Sequence, residues 1–249
     1  MLVIAGSDSS GGAGIARDLN VLADLGMRAL CAVTAVTAQT HDHVISVHHV
    51  PPEIVRTQVR AALESSPVTA IKIGMLGTSA TVSAVADSLP RGGGIPIVLD
   101  PVLLSSSGGV LLDEEGQAEM RARLLPLATI LTPNIPEAAS LCGMAPATSR
   151  EALLEQARCL VAMGARSVLL KGGHGAGAEA VDLLFFAQQG RAGGIAQWLS
   201  SKRLDARCRG TGCALASAIA AGLASGQSVE DACHHGKRYV YSMLAAAAS

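Results

Sequence analysis

The sequence predicts an α/β protein with a mostly parallel sheet flanked by helices. Short apolar runs alternate with longer segments of helical period from one end to the other, the pattern of strand-helix-strand units. The 27 glycines and 10 prolines are scattered with no G-X-Y period, as tight turns between short elements require. At 249 residues, 49% apolar and 16% charged, the chain is long and hydrophobic enough for one sizeable core, and we expect a single domain over residues 1–249.

Leu2 to Ala5 is a buried-strand candidate. After a glycine turn, Ile15, Leu19 and Leu22 recur at helical spacing until Gly26. Leu30 to Val36 reads as the next strand, followed by polar Thr37 to His43 and an alternating Val44, Ser46, Val47 segment that predicts a small hairpin or flap. Further strands are expected at Ala70 to Ile73, Ile95 to Leu99, Thr129 to Leu131 and Val168 to Leu170, reached through helical stretches such as Ala80 to Leu89 and Arg150 to Met163. Crossovers between parallel strands are right-handed, and ligands of such sheets sit beyond the carboxyl ends of the strands. Those positions read Gly6-Ser7-Asp8, Thr37-Ala38-Gln39, Lys72 with Gly74-Met75, Asp100-Pro101, Thr132-Pro133-Asn134 and Lys171-Gly172-Gly173, all turn formers or polar groups.

Charge and composition exclude several classes of function. Lys plus Arg is 19 and Asp plus Glu is 20, so no basic field exists to gather nucleic acid or anionic lipid. The five aromatic residues, Phe185, Phe186, Trp198, Tyr239 and Tyr241, are not interleaved with a basic stretch as base stacking requires. Six cysteines without a C-x-x-C pair suit a reducing compartment. No basic leader or long apolar run occurs, and a soluble, cytoplasmic protein is expected. His41, His43, His48 and His49 crowd one segment, but no Cys or carboxylate cluster completes a metal set. Gly11-Gly12-Ala13-Gly14 matches a dinucleotide fingerprint poorly, with Arg17 where the third glycine belongs, and no Walker-type loop is present.

Gly210-Thr211-Gly212-Cys213 precedes Ala214 to Leu223, where Leu215, Ile219 and Leu223 repeat every four residues. A glycine turn opening a helix aims free N–H groups and the positive dipole end at one spot, which suits a phosphoryl group in flight. Cys213 falls in the first turn, where the dipole lowers a thiol's pKa, so it can serve as a base; a small buried hydrophobe is the plainer reading. Asp18 caps its helix or hydrogen-bonds a substrate hydroxyl, and spacing alone favours the cap. Asn134 and Glu137, one turn apart, hold a hydrated magnesium ion through its waters or cap a helix. Lys171 reaches a phosphate or is a solvated surface lysine.

Taken in order, Ala5-Gly6-Ser7-Asp8 with Ser10-Gly11-Gly12-Ala13-Gly14, Thr37-Ala38-Gln39, Lys72-Ile73-Gly74-Met75-Leu76, Asp100-Pro101-Val102, Thr132-Pro133-Asn134 with Pro136-Glu137-Ala138, Lys171-Gly172-Gly173-His174 and Gly210-Thr211-Gly212-Cys213 resemble the hydroxymethylpyrimidine kinase/phosphomethylpyrimidine kinase family of thiamine biosynthesis. The resemblance spans residues 2 to 240. It implies a ribokinase-like fold, a three-layer α/β/α sandwich with a small flap. It also implies MgATP-dependent phosphorylation of 4-amino-5-hydroxymethyl-2-methylpyrimidine and then of its monophosphate.

By motif match, Gln39 hydrogen-bonds the pyrimidine while Gly6, Asp18, Met75 and Val102 line its pocket. Asn134 and Glu137 belong to the Mg-phosphate site, and Lys171 and Gly212 to the ATP phosphates. Gly210, Thr211, Gly212 and Cys213 form the anion hole, with Cys213 in the place of a catalytic base. A homodimer is implied by the resemblance alone. The chain departs from the family at Arg207-Cys208-Arg209, where Asn-Thr-His is usual, and at Ser105-Ser106-Ser107-Gly108, where relatives often carry a lysine. The rival readings are a pyridoxal kinase and a catalytically silent pyrimidine-binding regulatory protein.

Overall fold

The computed structural model describes residues 1–40, 42–92, 94–105, 108–172, 177–187, 194–206 and 208–248. His41, Ser106, Ser107, Gly173, His174 and Arg207 of the sequence reading lie outside them.

Nine strands form one sheet in the order β3-β2-β1-β4-β5-β6-β7-β8-β9. They are β1 (Leu2–Asp8), β2 (Leu30–Gln39), β3 (Val44–His49), β4 (Ile71–Ile73), β5 (Ile97–Leu99), β6 (Ile130–Leu131), β7 (Ser167–Leu170), β8 (Glu179–Phe186) and β9 (Ile195–Lys202). The six strands from β2 through β7 in that order pair in parallel. β3 and β8 run antiparallel to their neighbours, so a hairpin closes each edge. The helices are α1 (Gly14–Asp24), α2 (Pro52–Ser65), α3 (Ser79–Ser88), α4 (Glu114–Arg123), α5 (Ile135–Cys142), α6 (Arg150–Ala162), α7 (Thr211–Ala224) and α8 (Val229–Ala248). Among the described residues no helix is long and apolar enough to cross a membrane.

The two-residue period of the strands explains the layers. Leu2, Ile4, Ile71, Ile73, Leu99 and Leu131 point to one face, against Val55, Val59, Val82, Val85 and Leu160 of α2, α3 and α6. Val3, Ala5, Val98, Ile130 and Leu169 point to the other, against Ile15 and Leu22 of α1 and Leu215 and Ile219 of α7. This is the α/β/α sandwich expected. The flap is the β2–β3 hairpin, whose antiparallel register pairs Ala35 with His49 and Gln39 with Val44.

Two features differ from the sequence reading. The β8–β9 hairpin replaces what would otherwise be further parallel strands, and β9, with Gln197 and three polar residues at its end, carries little strand signal. β1 runs three residues past Ala5, through a register shift against β2 between Ala5 and Ser7, which brings Asp8 to the end of the sheet.

Candidate active site

Gly210 caps α7 in the left-handed region, at φ 71°, with no side-chain capping bond. A Cβ there would stand 2.3 Å from the Gly12 carbonyl oxygen, so only glycine allows the turn before α7 to pack on the loop after β1. The start of α7 is therefore left with the backbone donors of Thr211, Gly212 and Cys213 and the dipole.

Lys171 closes on this helix start. Its ammonium donates to Asp100 Oδ1 at 2.8 Å, and the Thr132 hydroxyl donates to the same oxygen at 3.0 Å. A Cβ on Gly212 would lie 3.1 Å from Lys171 Nζ, which puts the cation beside the anion-binding turn. The lysine is mostly buried, with 14% of its side chain exposed, and the reading as a solvated surface lysine is set aside. Burial disfavours its charge, but Asp100 and Glu137 outweigh burial and raise its pKa. Burial likewise works against the Asp100 carboxylate, which Lys171, Lys72 and Thr132 nevertheless hold below the usual range.

Asp18 corrects the sequence reading. It is fully buried and makes no cap, and its carboxylate is taken up by side chains of the sheet and α7. Its Oδ2 accepts from Lys72 Nζ at 2.8 Å and its Oδ1 from the Ser217 hydroxyl at 2.8 Å. Alternation along Ile71-Lys72-Ile73 sends Lys72 to the α1/α7 face, where Asp18 waits on α1 and Ser217 on α7. Lys72 is 0% exposed, and Asp18, with further help from Cys213 and Asp100, keeps it charged against the cost of burial.

Cys213 corrects it again in part. The residue is half-buried and stands at the first turn of α7, as expected, but its pKa moves the other way. Burial pushes it up to about 11, Asp18 and Asp100 add to the rise, and Lys72 and a hydrogen bond from the Gly14 backbone only partly oppose it. At neutral pH it is a thiol.

Asn134 and Glu137 form a capping box for α5. Asn134 Oδ1 accepts from the Glu137 N–H at 2.8 Å, and Glu137 Oε2 accepts from the Asn134 N–H at 2.8 Å. The capping alternative is thus what the backbone shows. With the Asn134 oxygen and one Glu137 oxygen so engaged, the pair fits a hydrated ion approached through water rather than direct ligation. Among the described residues no group of three His, Cys, Asp or Glu could hold a metal, and His43, His48 and His49 lie exposed on or beside β3.

Burial raises Glu137 to about 7, with Asp100 adding and Lys171 and the Asn134 and Leu103 backbones opposing. A carboxyl raised from 4.5 to about 7 contributes stability below pH 4.5 that is lost as pH rises through 7. Unfolding midpoints of Glu137→Gln are therefore expected to be flatter than wild type between pH 4.5 and 7; parallel profiles would refute the assignment.

The residues that the resemblance assigns to the pyrimidine fall at the strand ends. A Cβ on Gly6 would press on Met75 Sδ at 2.9 Å, so these two residues touch. The Thr34 hydroxyl donates to the Met75 carbonyl at 2.6 Å, and the Val102 N–H donates to the Asp100 carbonyl at 2.9 Å. Gln39 ends β2 half-buried, its backbone clasped by Ser9, whose hydroxyl oxygen accepts from the Gln39 N–H at 2.9 Å and whose proton goes to the Gln39 carbonyl.

Sequence reasoning placed Asp8, Lys72, Asp100 and Thr132 at the ligand-bearing strand ends without an individual role, and it passed over Ser217. The signal for Lys72 was present, because a charge inside a buried apolar strand demands a partner.

Residues 8–249 match the family model for phosphomethylpyrimidine kinase. The hydroxymethylpyrimidine/phosphomethylpyrimidine kinase of Rhizobium meliloti (strain 1021) is 42% identical over 247 residues, 99% of this chain and 90% of the relative. The crystal structure of phosphomethylpyrimidine kinase from Clostridium difficile 630 superimposes with a TM-score of 0.82 at 34% identity, covering 97% of each chain. That of Staphylococcus aureus pyridoxal kinase with AMP-PCP and pyridoxal gives a TM-score of 0.86 at 30% identity over 98% of this chain and 86% of the other. The family match over nearly the whole chain, joined to the glycine turn, Lys171 and Cys213 in one site, places this chain in the phosphomethylpyrimidine kinase family.

Proposed function

We propose that the chain transfers the γ-phosphoryl group of ATP, with Mg2+, to the hydroxyl of 4-amino-5-hydroxymethyl-2-methylpyrimidine and then to the resulting monophosphate, for thiamine biosynthesis in the cytoplasm. The observation that carries this reading is the closure of the Lys171–Asp100 pair on the open N-terminus of α7. Phosphoryl transfer depends on positioning and on neutralising charge spread over the phosphoryl oxygens. The N–H groups of Thr211 to Cys213 face that charge, Lys171 supplies a cation fixed by Asp100, and the hydroxyl proton passes to Cys213 in the small fraction of molecules that carry it as thiolate. Glu137 and Asn134 would hold magnesium through its waters, and the bound ion would supply further charge neutralisation on the phosphates.

The nucleotide's seat is assigned to the cleft of about 430 Å3 between the end of β9 and α8, lined by Lys202, His234, Lys237, Arg238 and Tyr241. Asp182 connects the two places, accepting from Lys237 Nζ at 2.6 Å and from the Gly172 N–H, next to Lys171, at 2.9 Å. The AMP-PCP bound to the Staphylococcus aureus relative, a nucleoside triphosphate analogue, supports ATP as donor. That relative is a pyridoxal kinase of the same fold, which makes pyridoxal the rival acceptor to be tested.

The test is turnover with MgATP on the pyrimidine alcohol, its monophosphate and pyridoxal in parallel. Phosphorylation of both pyrimidines is expected. Turnover of pyridoxal alone, or none with any acceptor, would overturn the reading.

A further inference from the structure

Arg209 stands immediately before the anion turn, and its guanidinium meets two other segments, the hairpin tip and the end of β1 with the loop after it. One terminal nitrogen donates to the Thr40 carbonyl at the tip of the β2–β3 hairpin and lies 3.5 Å from the Ser10 hydroxyl in the loop after β1. The other lies 3.9 Å from Asp8 Oδ2. Asp8 is itself locked to the loop, its Oδ1 accepting from the Ser10 N–H at 2.8 Å and the Ser10 hydroxyl at 2.7 Å. Thr40 closes the hairpin turn through its N–H to the His43 carbonyl at 2.9 Å. Its neighbour is Gln39, the residue assigned to the acceptor. We propose that Arg209 is a positioning residue that straps the β2–β3 hairpin to the anion turn and thereby sets the affinity for the acceptor.

A planar guanidinium with five donors can hold several acceptors in fixed relative positions, which a point-charge ammonium cannot. The strap also has slack. Asp8 Oδ2 and Arg209 Nε are both buried without a close hydrogen-bond partner, although, against the cost of burial, the Gln39 side chain and the Arg209 charge both help to hold the Asp8 carboxyl below its usual range. A contact kept for stability alone would pair them, because orphaned buried groups are costly. A contact that must follow the hairpin as an acceptor enters and leaves needs such unused capacity. Nothing else among the described contacts joins the hairpin tip directly to the start of α7.

The kinetic arm of the test rests on the pyrimidine-kinase reading; the exchange arm does not. Without any substrate, amide hydrogen exchange at Thr40 and over residues 42–44 should quicken about tenfold in Arg209→Ala, with α7 and the central strands unchanged. In turnover, the acceptor KM should rise about tenfold while kcat and the KM for ATP stay within about twofold. Arg209→Lys should fall between the two, since it keeps the charge and loses the fork. Unchanged exchange at the hairpin, or a fall in kcat with the acceptor KM unaltered, would overturn the proposal. If wild type turns over no pyrimidine, the functional reading fails while the exchange result still decides whether Arg209 is a strap.

Discussion

Replacing Cys213 by alanine is expected to lower kcat on the pyrimidine alcohol by up to about 10² to 10⁴, the usual worth of a positioned base, with the smaller loss at neutral pH, where the thiol is mostly protonated. Pyrimidine affinity should change little, because the backbone donors of the turn and the residues proposed to hold the pyrimidine, Gly6 and Met75 among them, are untouched. The monophosphate behaves differently as acceptor. Its phosphate is already largely ionised at neutral pH and needs no base, so the second transfer should be affected far less. The raised thiol pKa, about 11, adds a signature in pH. Below that value the thiolate fraction grows about tenfold per pH unit, so wild-type kcat/KM on the alcohol should climb steadily from pH 7 to pH 9. The alanine variant should be flat over the same range. Near-normal turnover by the variant, or equal losses on both acceptors, would assign the catalysis to the turn and Lys171 alone.

The second large effect is on stability. Lys72→Met should destabilise the fold by about 3 to 5 kcal/mol, because it leaves the Asp18 carboxylate buried beside one neutral hydroxyl. Whole domains have only about 5 to 15 kcal/mol to lose. The double variant Lys72→Met with Asp18→Leu should recover most of the loss, since a buried pair replaced by apolar groups of similar volume is close to neutral. Urea unfolding of the two variants checks this directly. A single variant within about 1 kcal/mol of wild type would mean that Asp18 is not charged in the fold.

The central sheet was legible because its strands are short apolar runs followed by turn residues, a signal both local and strong. Thr211 to Ala224 was legible for the same reason, as glycines and small residues mark its start. The roles of buried charges were not. Asp18 looks like a helix cap from spacing alone; only the folding of β4 beside β1 puts Lys72 opposite it. The Cys213 thiol was misjudged because the dipole is visible in sequence, whereas the burial that overrides it depends on residues from α1, β4 and β5. The capping box at Asn134 and Glu137 was legible in spacing, but spacing could not distinguish cap from metal site, since the same oxygens serve both.

The interlocking of the turn at Gly210 with the loop at Gly12 has a consequence for synthesis on the ribosome. Ser217 and Asp18 are 199 residues apart, as are Arg209 and Ser10, so the site is made from opposite ends of the chain. Until α7 emerges, the face of β1 carrying Val3 and Ala5 lacks half its cover, and the Asp18–Lys72 pair lacks its third partner. Contacts of such long sequence separation form late and slowly. A chain interrupted before residue 210 can assemble the α2–α6 side of the sheet yet exposes the apolar strip that α7 would bury, which makes stalled products targets for chaperones and proteases rather than partial enzymes.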